Sequence, residues 1–266
     1  MAGMAGKPLT GRHVVVTRPA AQAASLCEAI AARGGIPVAF PVLAIGALED
    51  TAALDAATAR LDRFDLAFFV SPNAVEYALT AILARRSWPP GLAVATVGKG
   101  SERALHEFGF TDVVAPVSGF DSEAVLALPE FQTEAIGGRQ VVIFRGDGGR
   151  DLLGETLRAR GARVDYVTCY RRYRPALDPA PLVELARRGQ LDALTLTSSE
   201  GVANLVGMVG ASGLEVLRPV ALFVPHPRIA AHARAAGFTR VIETGPGDDG
   251  LLGALESHFL LASVKL

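Results

Sequence analysis

The sequence is poor in cysteine and aromatic residues and has no long apolar run. Cys27 and Cys169 are its only cysteines, and both lie in apolar segments, which argues against a disulfide scaffold and predicts buried thiols in a reducing compartment. No apolar run approaches the ~20 residues that cross a bilayer. The amino-terminal segment also lacks a secretory hydrophobic region. The sequence therefore predicts a cytoplasmic protein that does not associate with a membrane.

A strong net charge and the common metal and nucleotide motifs are also lacking. The formal net charge of −1 argues against a basic surface for nucleic acid. Five scattered histidines and two distant cysteines show no metal-ligand spacing, so no metal is expected. The stretch GDGGRD at residues 146–151 has neither the lysine of a phosphate loop nor the spacing of a dinucleotide fingerprint. Nucleotide-dependent enzymes therefore lose support.

What the sequence does contain is an internal duplication. GRHVVVTRP at positions 11–19 returns as GRQVVIFRG at positions 138–146. Further segments match at the same offset, 127, or at 128: FDLAFFVSPNAV from Phe64 with LDALTLTSSEGV from Leu191, RGG at 33–35 with RGA at 160–162, and HEFGFTDVV from His106 with the later ARAAGFTRVI. Matches in the same order at a nearly constant offset indicate two copies of one repeat.

Each half alternates short, β-branched apolar runs with segments rich in alanine and leucine, the pattern of parallel βαβ units. The predicted strands are HVVVT, IPVAF, LAFFV, AVATV and DVVA in the first half, then QVVIF, RVDYV, ALTLT, VALFV and RVIE in the second. They predict an α/β protein with two lobes, each built on a doubly wound parallel sheet. The segment DDGLLGALESHFLLASVKL predicts a terminal amphipathic helix that packs on its own lobe.

Hydroxyl, glycine and cationic residues follow the predicted strands, at the sheet edge where α/β proteins bind ligands. The candidates are Thr17 and Arg18; Ser71 and Asn73; Gly98 and Lys99; Arg145 and Gly146; Thr197, Ser198 and Ser199; and Pro227 and Arg228. With few carboxylates among them, the set favours an anion receptor over acid/base chemistry. The alternative is that the hydroxyls cap helices, for example Thr197 with Glu200 as a capping box, and that the arginines are solvated.

Two further segments, FPVLAI at 40–45 and VTCYRRYRP at 167–175, are again related by the repeat offset and are interpreted as extended connectors. The second concentrates tyrosines and arginines around Tyr170. These side chains either lie at the mouth of a cleft or form a solvated basic strand.

The order of the segments resembles the uroporphyrinogen-III synthase family. The matching segments are VVVTRP, FFVSPNAV, VGKGSERAL, FRGDGGRDLL, CYRRY, LTSSEGV and VPHPRIAAHARAAGF. The resemblance implies two flavodoxin-like lobes joined by a two-stranded linker, with parts of both repeats in each lobe. It implies that residues 1–40 and 174–266 form one lobe, that residues 45–167 form the other, and that 41–44 and 168–173 link them.

The resemblance also implies a cofactor-free lyase of heme (porphyrin) biosynthesis, and the protein is expected to be a monomer. Its substrate would be hydroxymethylbilane, a linear tetrapyrrole with eight carboxylates, bound in the cleft between the lobes and cyclised with inversion of ring D and loss of water. Tyr170 corresponds to the family tyrosine best placed to protonate the leaving hydroxyl, and Ser71, Thr197 and Ser198 match positions that face the cleft. HPRI replaces the more usual Gly-Pro-Thr turn, so Arg228 is expected to compensate for a missing threonine hydroxyl.

Two other functions remain open. Hinged α/β lobes also suit a non-catalytic sensor or carrier of an anionic metabolite. A phosphotransfer enzyme ranks last, because the sequence offers neither a phosphate-loop lysine nor metal carboxylates.

Overall fold

The computed structural model describes residues 7–263, which divide into two compact units. Unit 1 comprises residues 7–44 and 173–263, and unit 2 is the continuous segment Ile45–Arg172. The chain therefore leaves unit 1 after its first strands, completes unit 2, and then returns.

Both units alternate strands with helices. In the described part of the chain the strands are β1 (His13–Val16), β2 (Ile36–Ala39), β3 (Ala44–Gly46), β4 (Leu66–Phe69), β5 (Ala93–Thr96), β6 (Val113–Val114), β7 (Gln140–Gly146), β8 (Arg163–Tyr173), β9 (Ala193–Thr195), β10 (Ala221–Val224) and β11 (Val241–Glu243). The helices are α1 (Ala20–Ala32), α2 (Ala52–Ala59), α3 (Pro72–Leu83), α4 (Lys99–Glu107), α5 (Ser122–Leu126), α6 (Thr133–Ile136), α7 (Leu152–Ala159), α8 (Ala180–Arg187), α9 (Ser199–Leu217), α10 (Pro227–Ala235) and α11 (Gly247–Ser263). Short 3-10 turns occupy Leu61–Arg63 and Pro129–Phe131.

Each unit is built on one sheet. The sheet of unit 1 has the order β2-β1-β9-β10-β11, and every neighbouring pair is parallel. The sheet of unit 2 has the order β3-β8-β7-β4-β5-β6, with parallel pairing from β8 to β6. All ten predicted strands are confirmed, as is the α/β class. The short β3 is additional: it lies in the FPVLAI segment and neighbours β8 at the sheet edge.

The register of the two sheets reproduces the sequence repeat. Val14 lies opposite Ala193 in unit 1, and Leu66 lies opposite Val141 in unit 2. Val14 and Val141 are equivalent positions of the two repeats, and so are Leu66 and Ala193. Each repeat therefore supplies its first two parallel strands to one unit and its last three to the other. By position in the repeat, the order in both units is 2-1-3-4-5, the flavodoxin-like order.

Apolar side chains cover both faces of each sheet, which is why the strands are continuous apolar runs. In unit 1, Val15 belongs to the cluster on one face, while Val14 and Val16 belong to the cluster on the other. The terminal helix α11 contributes Leu255 and Phe259 to the second cluster, as the sequence predicted. Cys169 is buried as expected, but Cys27 is only half-buried, because it lies at the border of the inner face of α1.

Two equivalent aspartates fix the starts of the central strands. Asp192 accepts the amide hydrogen of His13 at 2.9 Å, and Asp65 accepts that of Gln140 at 2.7 Å. These pairs occupy equivalent positions in the two repeats. The same contact therefore joins β1 to β9 in unit 1 and β7 to β4 in unit 2. Between residues 7 and 263, no helix is both long enough and apolar enough to cross a membrane.

Candidate functional site

A cavity of about 370 Å³ lies in unit 2, beyond the carboxyl ends of β4, β5 and β7. This is the sheet edge at which parallel α/β folds bind ligands. Four of the candidate residues line it: Ser71, Arg145, Gly146 and Tyr170.

Tyr170 is held at this cavity by contacts on two sides of its ring. The side chain is only 7% exposed, and the ring packs against Tyr77 with 5.9 Å between centroids. A Cβ atom at position 146 would lie 2.6 Å from the carbons of the Tyr170 ring. Gly146 is therefore required by the close approach of this ring, and the two residues form one structural feature.

The hydroxyl of Tyr170 lies 3.2 Å from Ser71 Oγ. Ser71 also caps α3, because its Oγ accepts the amide hydrogen of Ala74 at 3.1 Å. A serine hydroxyl has one hydrogen to donate. When Ser71 donates that hydrogen to Tyr170, the phenolic hydrogen is left for a ligand in the cavity. The pair can thus act as a proton donor supported by a helix cap.

Arg145 lies at the same edge, with its charge partly neutralised. Its Nη1 pairs with Asp151 at 2.5 Å, and its guanidinium lies 4.8 Å from the centroid of the Tyr166 ring. The side chain is 13% exposed. A guanidinium held in this way can still direct its remaining N–H groups at a carboxylate.

Unit 1 has a smaller cavity, of about 290 Å³, lined by Arg18, Thr197 and residues from the start of α11. Arg18 is the repeat equivalent of Arg145, and it too is paired with an aspartate, Asp248, at 2.5 Å. Both copies of the repeat thus place a carboxylate-bound arginine at the end of their first strand.

Other candidates in unit 1 contribute mainly to the fold. Thr17 is buried, and its hydroxyl donates to the carbonyl of Thr195 at 2.6 Å, so it joins β1 to β9. Ser198 caps α9 by accepting the amide hydrogen of Gly201 at 2.9 Å. The capping box predicted from Thr197 and Glu200 is therefore wrong: the cap is Ser198, and the residue three positions after it is Gly201. Ser199 has a buried Oγ without a hydrogen-bond partner among the described residues.

The remaining candidates are not among the residues that line these two cavities. Asn73 lies in the first turn of α3, and Gly98 is buried at the start of α4. Lys99 is exposed and pairs with Glu102 at 2.7 Å. Pro227 and Arg228 begin α10 and are exposed.

Cys169, next to Tyr170, has no nucleophilic role in this geometry. Burial raises the pKa of its thiol to about 12, so the sulfur stays protonated near neutral pH. Its Sγ donates to the carbonyl of Arg145 at 3.3 Å, which joins β8 to β7. Among residues 7–263, no cluster of three or more histidine, cysteine or acidic side chains could hold a metal ion.

Comparison with known proteins decides the family. A family model described as uroporphyrinogen-III synthase HemD matches residues 24–253. The chain belongs to the uroporphyrinogen-III synthase family. Uroporphyrinogen-III synthases of Salmonella typhimurium and Escherichia coli are 34% and 30% identical to it, over 91% of this chain and 99% of each relative. The resemblance predicted from the sequence is confirmed.

Solved structures of uroporphyrinogen-III synthases have the same fold. A mutant of the Thermus thermophilus protein aligns with a TM-score of 0.58 at 18% identity, and the Helicobacter pylori protein with 0.55 at 14%. Both alignments cover 94% of this chain and 99% of the other. At these identities the likeness shows the two-lobed α/β fold alone.

The unit 2 cavity also contains residues that the sequence analysis did not select as binding residues. Among them are Phe120, Asp121, Ser122, Arg150, Tyr166 and Arg172. For Arg172 a signal was present: side chains alternate along a strand, so Arg172 shares the side of Tyr170, while Arg171 points away and pairs with Glu49 at 2.5 Å. For Phe120 and its neighbours no signal was visible, because they lie on a loop after the short β6.

Proposed function

We propose that this protein is a cyclising lyase that converts hydroxymethylbilane to uroporphyrinogen III. The family match over residues 24–253 carries the proposal. The relatives at 34% and 30% identity, which are covered over nearly their full length, support it.

The reaction requires one proton donor and strict control of substrate shape. The hydroxyl at the ring A end of the substrate takes up a proton and leaves as water, which produces an electrophilic azafulvene. The substituted carbon of ring D attacks it to form a spiro intermediate, which fragments and recloses with ring D inverted. The final closure releases a proton from ring D, which balances the one consumed.

Tyr170 is the residue we assign as proton donor. Its buried ring is immobilised against Gly146, and its hydroxyl lies beside Ser71 at the edge of the cavity. A donor fixed in this way needs no rearrangement before it acts. No metal or cofactor is needed for the step, since protonation alone makes the hydroxyl a leaving group.

Substrate binding is assigned to the donor groups at the strand ends of both units. The substrate is a flexible polyanion, so many modest hydrogen bonds and a few guanidiniums suit it. Arg145 with Ser71 in unit 2 and Arg18 with Thr197 in unit 1 are the best placed. The other strand-end candidates stay in the proposal as contacts of lesser weight. We further propose a cytoplasmic monomer without a nucleic-acid partner, in keeping with a net charge of −1.

The deciding experiment supplies freshly generated hydroxymethylbilane to the purified protein. After oxidation, the ratio of type III to type I uroporphyrin is measured against a protein-free control. Unassisted closure occurs at the free carbon and gives type I, so an excess of type III supports the proposal. A protein that binds the bilane but leaves type I dominant is the sensor or carrier considered above.

A further inference from the structure

Phe120 is an exposed aromatic residue at the rim of the unit 2 cavity. It lies on the loop of residues 115–121 between β6 and α5, and 58% of its surface is exposed. An exposed phenylalanine gains little from the hydrophobic effect in the isolated protein. Its place beside a candidate active site therefore calls for a ligand that would cover the ring.

Three local features hold Phe120 in this position. Gly119 has φ 68°, a left-handed conformation that side chains disfavour. Asp121 caps α5 by accepting the amide hydrogen of Ala124 at 2.8 Å. The residue is thus flanked by a turn and a helix cap, which fix the backbone on both sides of it.

Gly98 provides the third feature. A Cβ atom there would lie 3.3 Å from Cβ of Phe120 and 3.6 Å from its ring. The backbone of Gly98 is extended, with φ −171°, so the conformation itself does not require glycine. Of the four helices that follow the third and fourth strands of the repeats, the other three are capped by a side chain, from Ser71, Ser198 or His226. At position 98 a capping side chain is replaced by space for Phe120.

The geometry points to a specificity role: Phe120 packs its exposed face against one pyrrole ring of the substrate. This inference rests on the proposed function. The pyrroles of a linear tetrapyrrole are joined by single methylene bridges, so each ring turns independently until a contact holds it. Arg150 and Arg172 line the same cavity, and their guanidiniums can bind the carboxylates that every pyrrole carries; Arg150 would do so beside its exposed ion pair with Glu123 at 3.2 Å. An aromatic face beside guanidiniums therefore matches both parts of one substrate ring.

The test compares four single variants and the double variant Gly98→Ala/Phe120→Ala with the wild-type protein. Phe120→Ala removes the ring, and Phe120→Tyr keeps its face. Val117→Ala is the matched control, because Val117 lies on the same loop, is 86% exposed, and is not among the cavity residues. Gly98→Ala adds a methyl group against Phe120, whose ring must then shift.

Two measurements are made on each variant. The first is the fluorescence titration of uroporphyrin III, a stable oxidised form of the product, which gives a Kd without turnover. The second is the type III fraction formed in a single turnover with the protein in excess, so that all bilane starts bound. For Phe120→Ala we expect the Kd to rise roughly three- to tenfold and the type III fraction to fall. For Phe120→Tyr and Val117→Ala the Kd should stay within about twofold of the wild-type value.

The outcomes separate this inference from the proposed function. If the wild-type protein forms no type III isomer, the proposed function fails. If it does, and Phe120→Ala matches Val117→Ala in both measurements, the role of Phe120 is overturned. Gly98→Ala should raise the Kd of uroporphyrin III when Phe120 is present, and should leave it unchanged in the double variant relative to Phe120→Ala. If the two substitutions instead raise the Kd independently, Gly98→Ala does not act through its contact with Phe120.

Discussion

At the scale of the residue, the candidate site depends on contacts between pairs of side chains and backbone. Tyr170 can approach β7 because position 146 is glycine, and its hydroxyl meets Ser71, which is already satisfied by a helix amide. This arrangement separates the structural role of the ring from the chemical role of the hydroxyl. A variant that removes only the hydroxyl is therefore informative.

We expect Tyr170→Phe to lower kcat at least about tenfold, because a positioned general acid contributes on the order of 10² or more. The type III fraction should be retained, since the ring and the shape of the cavity are unchanged. Rates and isomer ratios are measured on the same samples, by timed oxidation and chromatography.

Tyr77→Phe is the matched control for this prediction. Tyr77 packs on Tyr170, but its hydroxyl donates to the carbonyl of Ile45 at 3.3 Å and it is not among the cavity residues. Its loss should leave kcat nearly unchanged. Equal rates for Tyr170→Phe and wild type would remove Tyr170 from the role of acid.

At the scale of the element, most helices begin shortly after a strand, and several are capped by a side chain from the turn between the strand and the helix. Ser71 and Ser198 occupy equivalent positions in the two repeats and cap α3 and α9 through the residue three positions later. The duplicated SP and SS dipeptides thus preserve one local structure in two units. The cap of α9 can be tested separately, because Thr197 precedes it with a similar hydroxyl.

We expect Ser198→Ala to reduce the free energy of unfolding by about 1 kcal/mol, because a cap hydrogen bond to Gly201 is lost. Thr197→Ala should reduce the free energy of unfolding much less, since Thr197 does not cap the helix. Urea unfolding followed by circular dichroism gives both values. A larger loss for Thr197→Ala would restore the capping box predicted from the sequence.

At the scale of the whole molecule, the two copies of the repeat exchange strands. Each sheet combines two strands of one repeat with three of the other, and the central pairs β1 with β9 and β4 with β7 join the copies. A repeat is therefore not a folding unit. Unit 2, the continuous segment Ile45–Arg172, is compact instead, and it contains strands from both repeats.

We predict that residues 44–173, expressed alone, fold cooperatively, because they include every strand from β3 to β8. Residues 11–137, a segment of similar length that equals one repeat, should not, since β4 then lacks its partner β7. Thermal melts and dispersion of amide proton signals report the difference. A cooperative melt of 11–137 without one for 44–173 would contradict the strand exchange.

The sequence alone determined the local elements and the family. Its apolar runs specified all ten parallel strands, because strands covered on both faces consist mainly of apolar residues, and the nearly constant repeat offset specified which of them are equivalent. The order of the motifs was enough to place the chain in its family, as the match over residues 24–253 confirms. The identity of the hydroxyl, glycine and arginine residues at strand ends was also visible.

Only the tertiary structure decided which of those residues share a cavity. Ser71, Arg145, Gly146 and Tyr170 meet in unit 2, whereas Thr17 is used to join two strands. Phe120 reaches the same cavity from a loop that has no periodic pattern. The physical reason is that periodicity fixes which way a side chain points within its own element, while the contact between elements depends on register and packing, which a linear pattern does not encode.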